Sequence, residues 1–247
     1  MKPLEQNFLN TLECDMGNYL VAGGSSGIGK GVVERLLKEG HRVHVIARNP
    51  RDLPSHDMLS FQAWNAEGED PNLSIFESLS GVVYAPGTIL LKPFHRYSND
   101  EIISDFTVNT LGAVKVLRAT LPLLKKEKEA SVVLFSTVAV QTGMPFHASI
   151  SMAKGAVEGL TRSLAAEWAP FIRVNCIAPS LTDTPLAEKL LASPEKKEAS
   201  AKRHPLNKVG SVEDLASAVL FLLTPQSSWI SGQVLHVDGG MSSLKLL

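Results

Sequence analysis

Short apolar runs alternate with segments of helical periodicity along most of this chain. Runs with the length of buried strands occur at residues 19–22, 41–47, 58–64, 81–85, 131–135, 173–177 and 231–237. Apolar residues recur at the three- and four-residue spacing of an amphipathic helix at 30–38, 105–124, 149–167 and 212–223. Strands that alternate with helices favour parallel pairing, because each helix carries the chain back to the same edge. We therefore predict a doubly wound α/β fold, a parallel sheet of about seven strands with helices on both faces.

The turn between the first strand and the first helix is rich in glycine and serine. It runs Gly23-Gly24-Ser25-Ser26-Gly27-Ile28-Gly29 and separates an apolar run from a segment of helical periodicity. Glycine lets the backbone turn sharply and approach a ligand closely. The N-terminus of the following helix offers unpaired N–H groups and a partial positive charge to an anion. The turn therefore predicts a phosphate-binding loop, with an ordinary glycine-rich connection as the alternative.

Composition and charge narrow the classes of function. The 247 residues include 24 basic and 25 acidic side chains without a basic stripe, so nucleic acid is not an expected partner. No apolar run approaches the roughly 20 residues that span a bilayer, and residues 1–15 lack the apolar core of a signal peptide. Cys14 and Cys176 have no metal-ligand spacing. We expect a cytoplasmic protein with free thiols and no metal or membrane site, with an N-terminal extension at 1–17 and one domain at 18–247.

Several motifs resemble, in the same order, those of the short-chain dehydrogenase/reductase family. The Gly-x3-Gly-x-Gly of residues 23–29 is similar to that family's Thr-Gly-x3-Gly-x-Gly, with Ala22 in place of the threonine. Further matches are Val-Asn-Thr-Leu-Gly at 108–112 and Pro-Ser-Leu-Thr-Asp-Thr at 179–184. The resemblance spans residues 19–241 and points to members like the 3-oxoacyl-carrier-protein reductases. It implies hydride transfer between a nicotinamide cofactor and a carbonyl or alcohol carbon of a small molecule.

The same resemblance implies which residues bind the cofactor. Gly87 ends Tyr84-Ala85-Pro86-Gly87, which stands where the family has Asn-Asn-Ala-Gly. Asn65 stands near the place of a family aspartate that contacts adenine, and we expect it to take that contact. The residues expected at the phosphates and the nicotinamide are Gly23, Ser25, Ser26, Gly27, Ile28, Gly29, Gly87, Pro179, Thr182 and Thr184.

The end of the second strand bears on the choice between NADP(H) and NAD(H). An acidic side chain at this place usually binds the adenosine ribose when no 2′-phosphate is present. Here Ala47 and Arg48 occupy the place, with Asn49 and Arg51 close behind. A guanidinium pairs with a phosphate that a carboxylate would repel. Arg48 therefore favours NADP(H), with a solvated surface arginine as the alternative.

The family's catalytic residues are only partly present. Lys154 matches the lysine that binds the ribose and lowers the pKa of a tyrosine four residues earlier. That tyrosine position holds Ile150, which has no proton to donate. Thr137, thirteen residues before Ile150, matches the serine that polarises the substrate oxygen. Asn109 matches the asparagine that kinks its helix and holds a water in a proton relay.

Three interpretations of the missing tyrosine follow. His147, seven residues before Lys154, stands where related enoyl reductases carry their tyrosine and is a candidate acid, although it is equally well a loop residue without a partner. Tyr84 and Tyr97 are weaker candidates. Alternatively, catalysis continues slowly without a dedicated acid. In the third interpretation the chain binds NADP(H) without catalysis, as a cofactor sensor or a regulatory subunit of a mixed oligomer.

The resemblance also bears on assembly and on the substrate. Family members pair through two long helices, here 105–124 and 149–167, so we expect a homodimer or homotetramer. Residues 66–80 are short for a full crossover and predict at most one helix, at 73–79. The loops at 88–99 and 186–204 border the expected substrate site and carry no diagnostic chemistry.

Overall fold

The computed structural model describes residues 16–245 except 52 and 75. Within that range seven parallel strands form one sheet in the order β3-β2-β1-β4-β5-β6-β7. The strands are β1 (Asn18–Ala22), β2 (Arg42–Ala47), β3 (Leu59–Ala63), β4 (Gly81–Tyr84), β5 (Ala130–Phe135), β6 (Ile172–Pro179) and β7 (Val234–Val237). The doubly wound α/β fold predicted from the alternating pattern is confirmed.

Seven α-helices accompany these strands in the described part of the chain. They are α1 (Gly27–Lys38), α2 (Asn99–Phe106), α3 (Gly112–Leu124), α4 (Ala139–Thr142), α5 (Ala148–Trp168), α6 (Pro194–Ala201) and α7 (Val212–Leu223). Two of them begin with a complete capping box, in which a serine hydroxyl and an acidic side chain satisfy each other's backbone N–H groups. These starts are Ser98 before α2 and Ser211 before α7.

Each face of the sheet is covered by its own apolar core. Consecutive strand residues point to opposite faces, so Leu20 and Val21 of β1 belong to different cores. The core around Leu20 packs against α3 and α5, and the core around Val21 packs against α1 and α7. Strands buried on both faces are the reason that the sequence shows continuous apolar runs instead of alternation.

The helix predicted at 105–124 begins earlier and is interrupted. Residues Asn99–Phe106 form α2, a single π-turn covers Thr107–Leu111, and α3 follows. The wider i→i+5 hydrogen bonding of such a turn often marks a functional site. Asn109 lies inside the π-turn and is fully buried, which agrees with the kink expected at this residue.

Other sequence-based expectations need correction or lie outside the described residues. The helix considered at 73–79 is absent from the described residues of that segment, which form turns and irregular structure after Gly68 and Pro71. The region at 186–204, expected as a loop, contains most of a 3₁₀ segment, Pro185–Leu190, and the helix α6, which begins at Pro194 after the N-cap residue Ser193. Most of the N-terminal extension, including Cys14, lies outside the described residues, whereas Cys176 is a buried free thiol.

The order of the strands reverses between β1 and β4. Ligands of open α/β sheets bind at the carboxyl ends of the strands beside such a reversal. The glycine turn after β1 and the Tyr84–Gly87 segment after β4 meet at this edge. None of the helices in the described ranges is both long enough and apolar enough to cross a lipid bilayer.

Candidate active site

Two adjoining cavities lie along the carboxyl edge of the sheet. The glycine-turn cavity, about 460 Å³, is lined by residues 23–29 without Gly24, the end of β2 and the loop after β3. The Ile150 cavity, about 320 Å³, is lined by Thr137, Ile150 and Lys154 together with the loop after β6. Both cavities share Ile28, Ala85, Gly87, Thr88, Thr184 and Leu186. A ligand that fills the first cavity therefore reaches the second at Gly87 and Thr184.

The glycine-turn cavity presents unused hydrogen-bond donors. Gly27 has a φ of +52°, a conformation that favours glycine. The hydroxyls of Ser25 and Ser26 make no hydrogen bond with any described residue, and Ser26 precedes α1 without capping it through its side chain. The first N–H groups of α1 have no partner within the helix. This cradle suits the oxygens of a pyrophosphate.

The rim of the glycine-turn cavity carries a free guanidinium. Arg48 follows β2, is exposed and makes no ion pair with a described residue. Among the described residues, Glu67 is the single carboxylate that lines this cavity. It lies after β3, where it accepts a hydrogen bond from the Ser104 hydroxyl at 3.2 Å. The Asn65 side-chain oxygen accepts the Glu67 N–H at 3.3 Å, so its NH₂ group remains available. The Arg51 guanidinium donates to the Asn49 side chain at 3.2 Å.

Lys154 stands at the junction of the two cavities with its ammonium unpaired. It is 7% exposed and has no hydrogen bond or ion pair with the described residues. Burial lowers the pKa of Lys154 to about 8. A Cβ placed on Gly87 would lie 3.8 Å from the Lys154 Nζ and 3.3 Å from the Asn109 Oδ1. Both side chains therefore face the backbone of Gly87, and a larger residue there would crowd them.

A buried hydrogen-bond network holds Asn109 in place. Its side-chain NH₂ donates to the Asp105 carbonyl at 2.8 Å and to the Thr88 hydroxyl at 2.7 Å. The Asp105 carboxylate, 4% exposed, accepts the hydroxyls of Thr88 and Ser149, each at 2.6 Å. Sequence reasoning missed Thr88, Asp105 and Ser149. One signal was available, because an aspartate four residues before Asn109 lies on the same face of a helix.

An apolar side chain, Ile150, forms part of the wall of the Ile150 cavity. Ile150 lies on α5, one turn before Lys154, and is 5% exposed. The Thr137 hydroxyl oxygen accepts the Ala139 N–H at 3.3 Å, which leaves its proton for a ligand. His147 lines the cavity, and its Nδ1 lies 2.7 Å from the Pro145 carbonyl. Because a carbonyl only accepts, the Nδ1 carries a proton and the Nε2 is the free ring nitrogen.

Tyr84 and Tyr97, the two weaker candidates for the missing acid, both donate their hydroxyl protons to backbone carbonyls. The Tyr84 hydroxyl donates to the Val108 carbonyl at 2.5 Å, beside the π-turn, and burial raises its pKa well above the ordinary range. The Tyr97 hydroxyl donates to the Leu90 carbonyl at 2.7 Å, with the Phe146 carbonyl at 3.0 Å. Neither side chain lines either cavity. The structure therefore gives no support to Tyr84 or Tyr97 as the proton donor.

The loop after β6 contributes the remaining residues expected at the cofactor. Pro179, Thr182 and Thr184 line the Ile150 cavity, and Thr184 also lines the glycine-turn cavity. The Thr184 hydroxyl donates to the Thr182 carbonyl at 3.3 Å. Ser180, which replaces the family glycine, has its hydroxyl 2.8 Å from the Nε2 of the buried His204. This bond ties the loop after β6 to the segment that follows α6.

Comparison with known proteins places the chain in a family. A family model described as Enoyl-(Acyl carrier protein) reductase matches residues 72–242. A tropinone reductase homologue of Arabidopsis thaliana is 35% identical over 244 residues, which cover 90% of this chain and 91% of that protein. Senescence-associated protein 13 of the same plant is 32% identical over 242 residues, which cover 90% and 88%. The chain belongs to the short-chain dehydrogenase/reductase family, whose members are oxidoreductases that bind a nicotinamide cofactor.

Solved structures share the fold at lower identity. The ligand-free aldohexose dehydrogenase of Thermoplasma acidophilum superposes with a TM-score of 0.87 at 27% identity, covering 94% of this chain and 96% of its own. ElxO with NADP bound superposes with a TM-score of 0.86 at 27% identity, covering 93% and 100%. These similarities agree with the doubly wound parallel sheet.

Proposed function

We propose that this chain is an NADP(H)-dependent oxidoreductase that reduces a carbonyl, or an activated carbon–carbon double bond, of a small molecule without the family tyrosine. The observation that carries the proposal is the unpaired, buried ammonium of Lys154 at the junction of the two cavities. A buried cation without a partner is costly unless a ligand supplies acceptors. The hydroxyls of a cofactor ribose are such acceptors. We take residues 18–247 as the domain that carries this function.

The choice of NADP(H) rests on Arg48. Its guanidinium is free at the rim of the glycine-turn cavity, next to Ala47, where a carboxylate would otherwise exclude the 2′-phosphate. The NH₂ group of Asn65 is available to adenine in the same cavity. ElxO, a structural relative, is described with NADP bound and, as a variant with phenylalanine in place of one tyrosine, with NADPH bound. These similarities support NADP(H) as the cofactor.

The binding groups already present fit a nicotinamide cofactor. The hydroxyls of Ser25 and Ser26 and the start of α1 suit the pyrophosphate, and Thr184 adjoins the nicotinamide end. When bound, the cofactor supplies the hydride that reduces the substrate carbon. Because its pKa is about 8, Lys154 remains largely protonated at neutral pH and donates from the Nζ to ribose hydroxyls.

The residues of the Ile150 cavity supply the proton and polarise the substrate. Thr137 donates its free hydroxyl proton as a hydrogen bond to the substrate oxygen. His147 delivers a proton from the Nε2 of its charged form, because its Nδ1–H is engaged by the Pro145 carbonyl. Asn109, fixed by Thr88 and Asp105, holds the relay water expected beside Lys154. Hydride on carbon and a proton on oxygen convert a carbonyl to an alcohol.

A second candidate function is NADP(H) binding without catalysis, as a cofactor sensor or a subunit of a mixed oligomer. The observation that favours it is the buried aliphatic side chain of Ile150 at the place of the proton donor. In this case the ribose contact of Lys154 persists while the Ile150 cavity performs no reduction.

We also propose that the chain assembles into a homodimer or homotetramer in the cytoplasm. Exposed apolar side chains lie on the helices expected at the interface, namely Ile103, Phe106, Leu111 and Met152. Surface clusters of this kind favour burial against another molecule. Light scattering coupled to gel filtration measures the mass directly, and a monomer at micromolar concentration would contradict this assembly.

The experiment that tests the proposed function is titration with NADPH and NADH, followed by a panel of carbonyl compounds. Cofactor fluorescence reports binding, and loss of NADPH absorbance reports turnover. We expect tight NADPH binding, weaker NADH binding and consumption of NADPH with at least one carbonyl. Binding without any turnover supports the non-catalytic candidate, and failure to bind either cofactor overturns both.

A further inference from the structure

The ionisable side chains described in the lining of the Ile150 cavity are all basic. Among the residues that line it, three carry basic side chains, namely His147, Lys154 and Arg203. Within the described chain, no aspartate or glutamate belongs to that lining. The remaining lining is mostly apolar and includes Ile89, Leu91, Met144 and Leu181. A cavity with this charge pattern disfavours a cationic ligand and attracts an anionic one.

Arg203 is the basic group that the proposed chemistry does not use. It follows α6 at the outer part of the Ile150 cavity, is exposed and makes no ion pair with a described residue. Two lysines on the same segment differ, because Lys202 pairs with Glu198 at 2.6 Å and Lys197 pairs with Asp183 at 2.5 Å. Arg203 does not line the glycine-turn cavity, so its guanidinium is not placed to bind the phosphates of a cofactor.

The backbone around Arg203 is anchored beside the cavity. Its N–H donates to the Ser200 carbonyl at 3.2 Å, and Ser200 also lines the cavity. The next residue, His204, is buried, and its Nδ1 donates to the same carbonyl at 2.8 Å. Because that nitrogen carries the ring proton, the Nε2 accepts the Ser180 hydroxyl at 2.8 Å. Ser180 directly follows β6 and lines the cavity. The hydrogen bond between Ser180 and His204 therefore links the backbone next to Arg203 to the end of a strand of the sheet.

We propose that the substrate of this cavity carries an acidic group, which Arg203 binds. The reducible carbonyl lies at Thr137 and Lys154, the apolar body contacts Leu91 and Met144, and the acid reaches the guanidinium. Arginine suits this role, because its planar fork binds a carboxylate through two hydrogen bonds. This inference deepens the proposed function and rests on it for the position of the carbonyl.

The test compares oxo-carboxylic acids with their methyl esters. A homologous series of straight-chain oxo-carboxylates and the matching esters is titrated into wild type, Arg203→Ala and Lys202→Ala. Calorimetry measures affinity in the presence and absence of NADPH. Lys202→Ala is the matched control, because it removes an adjacent exposed cation that does not line the cavity. A hydrogen-bonded charge contributes enough that we expect about tenfold tighter binding of the acid than of the ester.

The outcomes separate this inference from the proposed function. Preference for the acid that disappears in Arg203→Ala and persists in Lys202→Ala supports it. Equal binding of acid and ester, a preference that survives Arg203→Ala, or no binding of any compound overturns it. NADPH binding is measured separately on the same samples, so its failure contradicts the proposed function while the cofactor-free titration still decides the role of Arg203.

Discussion

A residue that departs from the family pattern lies at or near each of the two cavities, the glycine-turn cavity and the Ile150 cavity. The two departures have different consequences. Next to the first cavity, the resemblance implies that Tyr84 stands in place of an asparagine; its ring lines neither cavity but is buried, and its hydroxyl donates to the Val108 carbonyl at 2.5 Å. The Tyr84 ring is accommodated in the core, and Ser25, Ser26 and Arg48 line the glycine-turn cavity. In the second cavity, Ile150 is also buried, but its side chain has no proton to donate. A well-packed replacement can leave the shape of a cavity unchanged, whereas a replacement without a hydroxyl requires another group to donate the proton.

The largest expected effect is on kcat, and it tests whether His147 donates the proton in place of the missing tyrosine. His147→Ala should lower kcat by about 10²–10⁴-fold, because a general acid contributes that much, while leaving NADPH affinity nearly unchanged. Steady-state kinetics with the best carbonyl of the panel and a fluorescence titration measure the two quantities. His95→Ala is the control, since His95 is exposed and lines neither cavity. Equal kcat in His147→Ala and wild type would remove His147 from the mechanism.

The next largest effect is expected on kcat when the substitution Ile150→Tyr supplies a hydroxyl group in the Ile150 cavity. In the His147→Ala background, Ile150→Tyr should raise kcat by about 10- to 100-fold, because a phenol one turn before Lys154 can donate a proton. Ile150→Phe is the matched control, since it places the same ring in the cavity without the hydroxyl. Equal rates for the tyrosine and phenylalanine variants would show that the cavity lacks more than a donor.

A smaller effect tests how tightly Tyr84 is packed. A Cβ on Gly112 of α3 would overlap the Tyr84 hydroxyl, so Gly112→Ala should lower the free energy of unfolding by about 1–3 kcal/mol. Gly159 of α5 has open space around its Cβ position, and Gly159→Ala should raise the same quantity by about 0.5–1 kcal/mol. Urea unfolding measures both. A Gly112→Ala variant as stable as wild type would show that Tyr84 is loosely packed.

The smallest effect is the pH dependence caused by Lys154 in the cofactor-free protein. Its folded pKa of about 8 lies below the ordinary 10.5, so between these values the folded protein has lost a proton that the unfolded chain keeps. Rising pH therefore stabilises the folded state, by about 1 kcal/mol per pH unit between about pH 8 and 9. Lys154→Met should be more stable than wild type near neutral pH and should lack this slope in urea unfolding.

Above that range a second buried group acts in the opposite direction. Burial raises the pKa of the Cys176 thiol to about 12, so the unfolded chain releases this proton first and stability falls above about pH 9. The slopes of wild type and Lys154→Met should therefore be compared below pH 9. Identical slopes in that range would contradict a depressed pKa for Lys154.

The sequence was sufficient for the sheet and for most of one cavity, because both depend on local patterns. Apolar runs and helical periodicity placed the seven strands to within a few residues, and the glycine turn predicted the location of the glycine-turn cavity. The Asp105 network and the position of Arg203 could not be predicted. The Asp105 carboxylate accepts a hydrogen bond from Ser149, 44 residues away in sequence. The segment that contains Arg203 is held beside the Ile150 cavity by the hydrogen bond between His204 and Ser180. Such contacts depend on how distant segments pack.

The central claim, that the glycine-turn cavity selects NADP(H) through Arg48, is tested most directly by one comparison of affinities. NADPH and NADH are titrated into wild type, Arg48→Ala and Arg42→Ala, the last removing an exposed arginine at the opposite end of β2. We predict that Arg48→Ala weakens NADPH binding by about 10- to 100-fold and leaves NADH binding nearly unchanged, whereas Arg42→Ala changes neither. Equal losses for both cofactors in Arg48→Ala, or no loss for either, would contradict the claim.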